Sequence, residues 1–184
     1  MSKVFIIAEA ACTWLHGGLE AAFRSIGAAK DCGADAWKTQ YCSDPALMHQ
    51  RRKIDGDHYR RLAWDASWLP LLKAECDRVG VEFMVTCFLS KDIALIAPYV
   101  KRFKVSAFES MDEEFVNAHV PHGKPIIMSV RSEDFYRIKR PESVESIWMH
   151  VVSEYPCPLE RLKIPPRVGG LSDHTTSLLT GACA

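Results

Sequence analysis

The sequence has 184 residues, a formal net charge of +0 at pH 7 and a hydrophobic fraction of 48%. This length suits one domain with a buried core. The balanced charge provides no overall field for nucleic acid or an anionic membrane, and no apolar run approaches the ~18 residues that span a bilayer. The seven cysteines form no C-x-x-C pair, so we expect reduced thiols in a cytoplasmic protein.

Apolar runs that end in polar residues recur along the chain, and segments of helical spacing separate them. The runs predict strands at 3–8, 34–40, 82–86, 102–106, 125–129, 146–152 and 168–172. Helices are predicted at 19–32, 67–80, 90–97 and 111–120, and a further helix begins in 176–184. We expect the first strand to be buried and the helices after strands five and six to be reduced.

The segment 41–58 follows the second strand as a long excursion, and loops in that place often serve as lids on a barrel. It carries a basic cluster of Arg51, Arg52 and Lys53. We interpret this cluster as solvated surface rather than a phosphate clamp. Strands that alternate with helices and end in polar residues predict a TIM-type (β/α) barrel, although seven predicted strands are one fewer than a closed barrel has.

Two lysines, Lys38 and Lys104, end predicted strands. Burying a lysine is costly unless it meets an anion or a carboxylate. The pair could cradle a phosphate or carboxylate ligand, or each lysine could extend from its strand end into solvent. Hydroxyl groups end other strands and could donate to the same anion or cap helices. They belong to Thr86, Ser129, Ser153 and Ser172.

Carboxylates end strands one and four, at Glu9 and Glu109. They could bind sugar hydroxyls, act as acid and base, or form salt bridges with the two lysines, and these roles are compatible. His174, beside Asp173, is a candidate metal ligand, although one histidine does not make a metal site. No histidine is paired in sequence with Cys87 or Cys157, so we do not expect a cysteine nucleophile.

Seven stretches, in this order, resemble the N-acetylneuraminate (sialic acid) synthase family, which includes the legionaminate and pseudaminate synthases. They are IIAEA (6–10), AAKDCGADAWKTQ (28–40), GVEFMVTCF (80–88), FKVSAFE (103–109), GKPIIMS (123–129), HVVSEYPCP (150–158) and GGLSDHT (169–175). The last two are the most specific. The family has a (β/α)8 barrel, usually followed by a small antifreeze-like domain.

The resemblance implies condensation of phosphoenolpyruvate with an N-acetylated amino sugar such as N-acetylmannosamine. The product would be a nine-carbon 2-keto sugar acid, and a divalent metal, Mn or Mg, would polarise the sugar aldehyde. The positions that match phosphoenolpyruvate contacts are Lys38, Thr86, Lys104, Ser129, Ser153 and Ser172. Glu9, Gln40 and Tyr155 match sugar-binding positions. His174 matches a metal ligand with a catalytic role, and Glu109 matches the carboxylate next to the reacting carbons.

The chain also departs from the family pattern. TWLHGG (13–18) replaces the usual N-H-x-G, and Ala107 replaces a serine. SVR (129–131) replaces S-T-G and places Arg131 where a small residue normally admits the phosphate. The chain stops before an eighth strand, so we expect a single incomplete barrel domain over 1–184. It would lack the antifreeze-like domain and the second metal histidine, and a homodimer would cover its open edges.

Three hypotheses follow. The first is a phosphoenolpyruvate-dependent synthase whose activity is impaired because half of the metal site is missing. The alternative is a non-catalytic, reduced barrel that binds a small phosphate or carboxylate ligand, or that partners a full-length synthase. An aldolase or isomerase on a related barrel is a third, weaker option, because no lysine has neighbours that favour a Schiff base.

Overall fold

The computed structural model describes residues 3–52, 60, 62–166, 168–177 and 180, without the side chain of residue 52. Strands and helices alternate along the chain. The strands are β1 (Ile7–Ala11), β2 (Ala36–Tyr41), β3 (Glu82–Cys87), β4 (Phe103–Val105), β5 (Ile126–Val130), β6 (Ser146–Val151) and β7 (Gly170–Ser172). The helices are α1 (Gly18–Asp31), α2 (Pro45–Arg52), α3 (Leu69–Val79), α4 (Ser90–Ile96) and α5 (Glu113–Asn117). The chain forms two compact units, Met1–Lys101 and Arg102–Ala184.

In the first unit, β1, β2 and β3 are parallel neighbours in chain order. Alternation along β2 divides its side chains between two faces. Trp37 lies on the helix side, where its ring stacks on Phe83 and its indole N–H donates to Ser25 of α1 at 2.9 Å. Lys38 and Gln40 therefore lie on the opposite face of the strand, away from the helices.

The predicted burial of the first strand is wrong. Residues 3–6 are exposed, with Val4 at 73% and Ile6 at 52% exposure, and β1 begins only at Ile7. Within its unit, β1 pairs with β2, and this pairing begins at Ile7. The residues before Ile7 are therefore not covered by a neighbouring strand. Apolar composition alone cannot distinguish this approach segment from a core strand.

In the second unit, β4, β5, β6 and β7 are parallel neighbours in chain order. Phe103 and Phe115 are almost fully buried in its core. They flank His119, whose Nδ1–H donates to the carbonyl of Phe115 at 3.0 Å. Burial lowers the pKa of His119 to about 4, so this ring is neutral at pH 7.

The connections after β5 and β6 contain only 3₁₀ turns, Ser132–Asp134 and Leu159–Arg161, in the described residues. The predicted reduction of these two helices is confirmed. Side chains cover the outer face of β6 instead. The ring of Trp148 meets Phe135 edge-on at 4.7 Å and carries the guanidinium of Arg140 at 4.3 Å from its centroid.

The helix predictions were wrong in two places. The helix predicted at 111–120 is shorter, because Pro121 cannot donate to a continuing helix and disfavours helical backbone before it; α5 ends at Asn117. The segment after β2 contains α2, which the sequence analysis missed. Asp44 accepts from the backbone N–H of Leu47 at 3.0 Å, and an Asp-Pro pair is a recognisable helix start.

The remaining predicted features are only partly described. Arg51 is exposed on α2, whereas Lys53 and most of the predicted C-terminal helix lie outside the described residues. No helix within the described part of the chain is long and apolar enough to cross a membrane.

Candidate functional site

Lys38 is the centre of a polar cluster in the first unit. It is buried, and its Nζ donates to Thr86 Oγ1 on β3 at 3.2 Å and to the carboxylate of Glu9 on β1. The strand register explains the cluster, because Glu9 lies opposite Lys38 and Gln40 lies opposite Thr86. These side chains therefore share the face of the sheet that points away from the helices. The predicted salt bridge of Glu9 to Lys38 is present.

Glu9 is held by an irregularity at the end of β1. The register with β2 shifts between Glu9 and Ala11, and Ala11 has a φ of 47°, a left-handed conformation that is unfavourable for alanine. The backbone N–H of Ala11 donates to Glu9 Oε1 at 2.8 Å. β-bulges at strand ends redirect side chains, and here the bulge orients the carboxylate that meets Lys38.

The second unit repeats the arrangement of lysine and hydroxyl. Lys104 on β4 is buried, and its Nζ donates to Ser129 Oγ on β5 at 2.6 Å and to the carbonyl of Val105 at 3.0 Å. Lys104 is in register with Ile127, and Ser129 lies two residues further on the same face. In both units a lysine near the end of one strand thus donates to a hydroxyl from the next strand.

Glu109 lies just beyond β4, in the 3₁₀ turn Glu109–Met111. Its carboxylate is 4% exposed and accepts a hydrogen bond from Ser106 Oγ. Ser106 is not among the residues assigned a role from the sequence. The three-residue spacing from Ser106 to Glu109 across a strand end is the signal that could have found it.

His174 is fixed in one tautomer by its neighbours. The carbonyl of Val152 can only accept, so Nδ1–H of His174 donates to it at 2.8 Å. In its neutral form the ring then presents a lone pair at Nε2, which accepts from the hydroxyl of Tyr155 at 2.7 Å. Ser172 Oγ lies 3.5 Å from the same nitrogen. The structure therefore brings together three of the predicted site residues around Nε2.

This arrangement fits a metal-ligating histidine, because such residues usually donate their other ring N–H to a carbonyl or carboxylate. It supplies one ligand. Among the described residues, no group of three or more His, Cys, Asp or Glu side chains could hold a metal ion. Ser153 is exposed on the same unit, and its side chain makes no hydrogen bond within the described part of the chain.

The cysteines near the strand ends are poor nucleophiles. Burial raises the pKa of the Cys87 thiol far above its usual range, and burial also raises the pKa of Cys157. Both side chains are therefore protonated at neutral pH. The six described cysteines are all free thiols.

The first unit also contains a cavity of about 710 Å³, which the sequence analysis did not anticipate. Its size is in the range of small-molecule sites. Trp64 is one of its walls and donates its indole N–H to the backbone carbonyl of Gln40 at 2.7 Å, so the cavity adjoins the end of β2. The cavity is also lined by Cys12, His16, Arg60, Asp65 and Trp68.

A family model described as the NeuB family matches residues 25–184 of the chain. The pseudaminic acid synthase of Campylobacter jejuni strain 81-176 is 29% identical over 216 residues, which cover 99% of this chain and 62% of that protein. The spore coat polysaccharide biosynthesis protein SpsE of Bacillus subtilis is 28% identical over 211 residues, which cover 100% and 56%. The chain thus spans about three fifths of the length of these relatives.

Solved structures show the same fold. The N-acetylneuraminic acid (sialic acid) synthetase of Leptospira borgpetersenii, solved with citrate, superposes with a TM-score of 0.82 at 23% identity, over 99% of this chain and 69% of that one. The SpsE protein of Bacillus subtilis superposes with a TM-score of 0.78 at 26% identity, over 95% and 54%. The predicted fold class, an incomplete TIM-type (β/α) barrel, is confirmed, with seven strands in the described residues.

Proposed function

The chain belongs to the NeuB family, and on that premise we propose that it is the substrate-binding barrel of a synthase. The proposed reaction condenses phosphoenolpyruvate with an N-acetylated amino sugar to give a 2-keto sugar acid and phosphate. One observation carries the proposal: each unit holds a buried lysine that donates to a hydroxyl of the neighbouring strand, as Lys38 does to Thr86 and Lys104 to Ser129.

A buried ammonium group is expensive without a compensating anion. Hydroxyl and carbonyl oxygens accept hydrogen bonds from an ammonium group but cannot offset its positive charge, which Glu9 already does for Lys38. Phosphate and carboxylate oxygens balance that charge, and charge-assisted hydrogen bonds to them are strong. Phosphoenolpyruvate carries both groups. We assign to each lysine–hydroxyl pair a contact with this substrate, and we assign Ser153 and Ser172 to the same substrate from the resemblance.

Glu109 is the residue proposed to act at the reacting carbons. Its carboxylate is buried and is oriented by the hydroxyl of Ser106. In that setting it can hold a water molecule or accept a proton when water adds to the intermediate. Glu9, Gln40 and Tyr155 are proposed to bind the amino sugar through its hydroxyl and amide groups.

A divalent metal, Mn or Mg, would supply a Lewis acid that polarises the sugar aldehyde. His174 would hold it through Nε2, since Nδ1 is committed to the carbonyl of Val152. Tyr155 donates to the same nitrogen, so its hydroxyl keeps the ring oriented before the metal binds.

The test uses the purified chain with phosphoenolpyruvate, N-acetylmannosamine and Mn. We expect calorimetry to detect phosphoenolpyruvate binding, and we expect release of phosphate together with a 2-keto acid. Glu109→Gln should retain phosphoenolpyruvate binding and lose product formation. Binding by the unmodified chain without any turnover would favour the non-catalytic alternative. Absence of phosphoenolpyruvate binding would reject both.

A further inference from the structure

Arg131 follows β5 directly and continues its extended backbone, with φ −80° and ψ 152°. Side chains two residues apart in an extended chain point to the same side. Arg131 therefore emerges on the side of the sheet where Ser129 receives the hydrogen bond of Lys104. This places a third cationic or donor group at the end of the same pair of strands.

The guanidinium of Arg131 is held in place from two directions. Its Nε donates to Asp134 Oδ2 at 2.5 Å, and the Asp134 side chain is only 2% exposed. Its central carbon lies 5.5 Å from the ring centroid of Phe108, the residue that precedes Glu109. A guanidinium fixed by a buried carboxylate and an aromatic ring loses little conformational freedom when it binds a ligand.

The contacts of Arg131 leave its most useful donors available. Within the described residues, its hydrogen bond and its ion pairs with Asp134 and Glu133 are made through Nε. Its Nη1 and Nη2 groups, the two terminal nitrogens of the guanidinium, make no hydrogen bond within the described residues. These two nitrogens match the spacing of two phosphate oxygens. Its side chain is 25% exposed, so a small anion can reach it.

The charges of the turn that follows β5 offset one another. Glu133 and Asp134 contribute two negative charges, and Arg131 and Arg137 contribute two positive charges, because Arg137 Nη1 lies 3.9 Å from Asp134 Oδ1. The turn that follows β5 is therefore neutral as a whole.

We propose that Arg131 binds the phosphate group of the substrate together with Lys104 and Ser129, an inference that rests on the proposed function. The arginine that replaces a small residue of the family pattern then adds a bidentate phosphate contact and does not merely narrow the entrance. Affinity for phosphate should accordingly depend on the paired terminal N–H groups of Arg131 as well as on its charge.

Calorimetric titration of the full chain with phosphoenolpyruvate, inorganic phosphate and pyruvate tests the proposal. Arg131→Met should weaken binding of phosphoenolpyruvate and phosphate about 10-fold or more, because a charge-assisted hydrogen bond contributes ~1.5–3 kcal/mol. Arg131→Lys should recover only part of this loss. Arg137→Met is the matched control, since it removes a positive charge beside the same Asp134, and it should change affinity by less than about 2-fold.

The outcomes separate the two proposals. If Lys104→Met weakens phosphoenolpyruvate binding and Arg131→Met does not, Arg131 has no role while the proposed function stands. An equal loss in Arg137→Met would also overturn the inference, as would a loss for pyruvate alone. If the unmodified chain binds neither phosphoenolpyruvate nor phosphate, both proposals fall. Should Arg131→Met fail to fold, Arg131→Lys still decides, because its ammonium can pair with Asp134.

Discussion

Lys104 and Ser129 lie on neighbouring strands and are joined by a hydrogen bond of 2.6 Å between Nζ and Oγ, with both side chains buried. A charged donor and a neutral acceptor are thus enclosed together near the ends of β4 and β5. The bond orients the ammonium, but a hydroxyl cannot neutralise it. The pair is therefore sensitive to the loss of either member.

Replacing Ser129 by alanine should reduce both stability and ligand binding. The substitution removes an acceptor from a buried ammonium, and an unsatisfied buried donor costs ~1–3 kcal/mol. We expect urea denaturation to show a loss in this range and calorimetry to show weaker phosphoenolpyruvate binding. Ser132→Ala, at an exposed position three residues away, is the control and should change neither quantity. Equal stability of the two variants would show that the Lys104–Ser129 bond contributes nothing.

Replacing Ala11 by glycine should stabilise the protein. Ala11 has a φ of 47°, where an alanine costs roughly 1–2 kcal/mol and a glycine adopts the conformation freely. Part of this gain is offset by the greater freedom of glycine in the unfolded chain, so we expect a net gain below about 1 kcal/mol. Ala10→Gly, at a buried neighbour with ordinary backbone, should destabilise. Thermal unfolding of the two variants provides the comparison, and a lower Tm for Ala11→Gly would contradict the left-handed assignment.

Replacing Tyr155 by phenylalanine should strengthen metal binding. The tyrosine hydroxyl donates to Nε2 of His174, and a metal ion must compete with that bond. One hydrogen bond contributes ~1 kcal/mol, so removing this competing bond should raise the affinity for Mn about 5-fold. Electron paramagnetic resonance titration with Mn measures the change. Tyr136→Phe, at a fully exposed tyrosine, should have no effect.

Replacing His174 by glutamine should weaken Mn binding, because the substitution removes the nitrogen proposed to bind the metal. If this variant binds Mn as tightly as the unmodified chain, His174 is not a ligand.

Stability should fall as pH is lowered from 7 to 5. Burial lowers the pKa of His119 to about 4 from 6.5, so in this range the unfolded chain binds a proton that the folded chain does not. The free energy of unfolding then decreases as pH falls through 6.5 and levels off near pH 4, with a loss of about 2 kcal/mol between pH 7 and 5. The pKa of His150, lowered by burial, acts in the same direction.

Urea denaturation across this pH range measures the effect. His119→Asn should flatten the pH dependence, whereas His122→Gln, at a half-buried histidine, should leave most of it. An unchanged slope in His119→Asn would assign the dependence to other groups.

The sequence predicted the strand positions well, because apolar runs indicate buried segments and turn residues indicate where each strand ends. It failed where burial depends on a neighbour. Residues 4–6 are as apolar as a core strand but are exposed. It also missed α2, although Asp44 and Pro45 are a usual helix start.

The candidate site was predictable as a set of strand ends but not as a set of contacts. Lys38, Thr86, Lys104 and Ser129 were expected at one end of the strands, yet their pairing depends on the register between strands, which the packed structure decides. The bonds of His174 to Val152 and Tyr155 join residues 22 and 19 positions apart. No local pattern reports contacts at that separation.

The absence of full helices in the described connections after β5 and β6 affects how the backbone should exchange its amide hydrogens. A strand covered by packed helices opens only with its whole structural unit, whereas a strand covered by a few side chains can open locally. The outer face of β6 depends on Trp148 and its contacts with Phe135 and Arg140. Amides of β6 should therefore exchange with deuterium sooner than those of β2, whose Trp37 packs against Phe83 and bonds to α1.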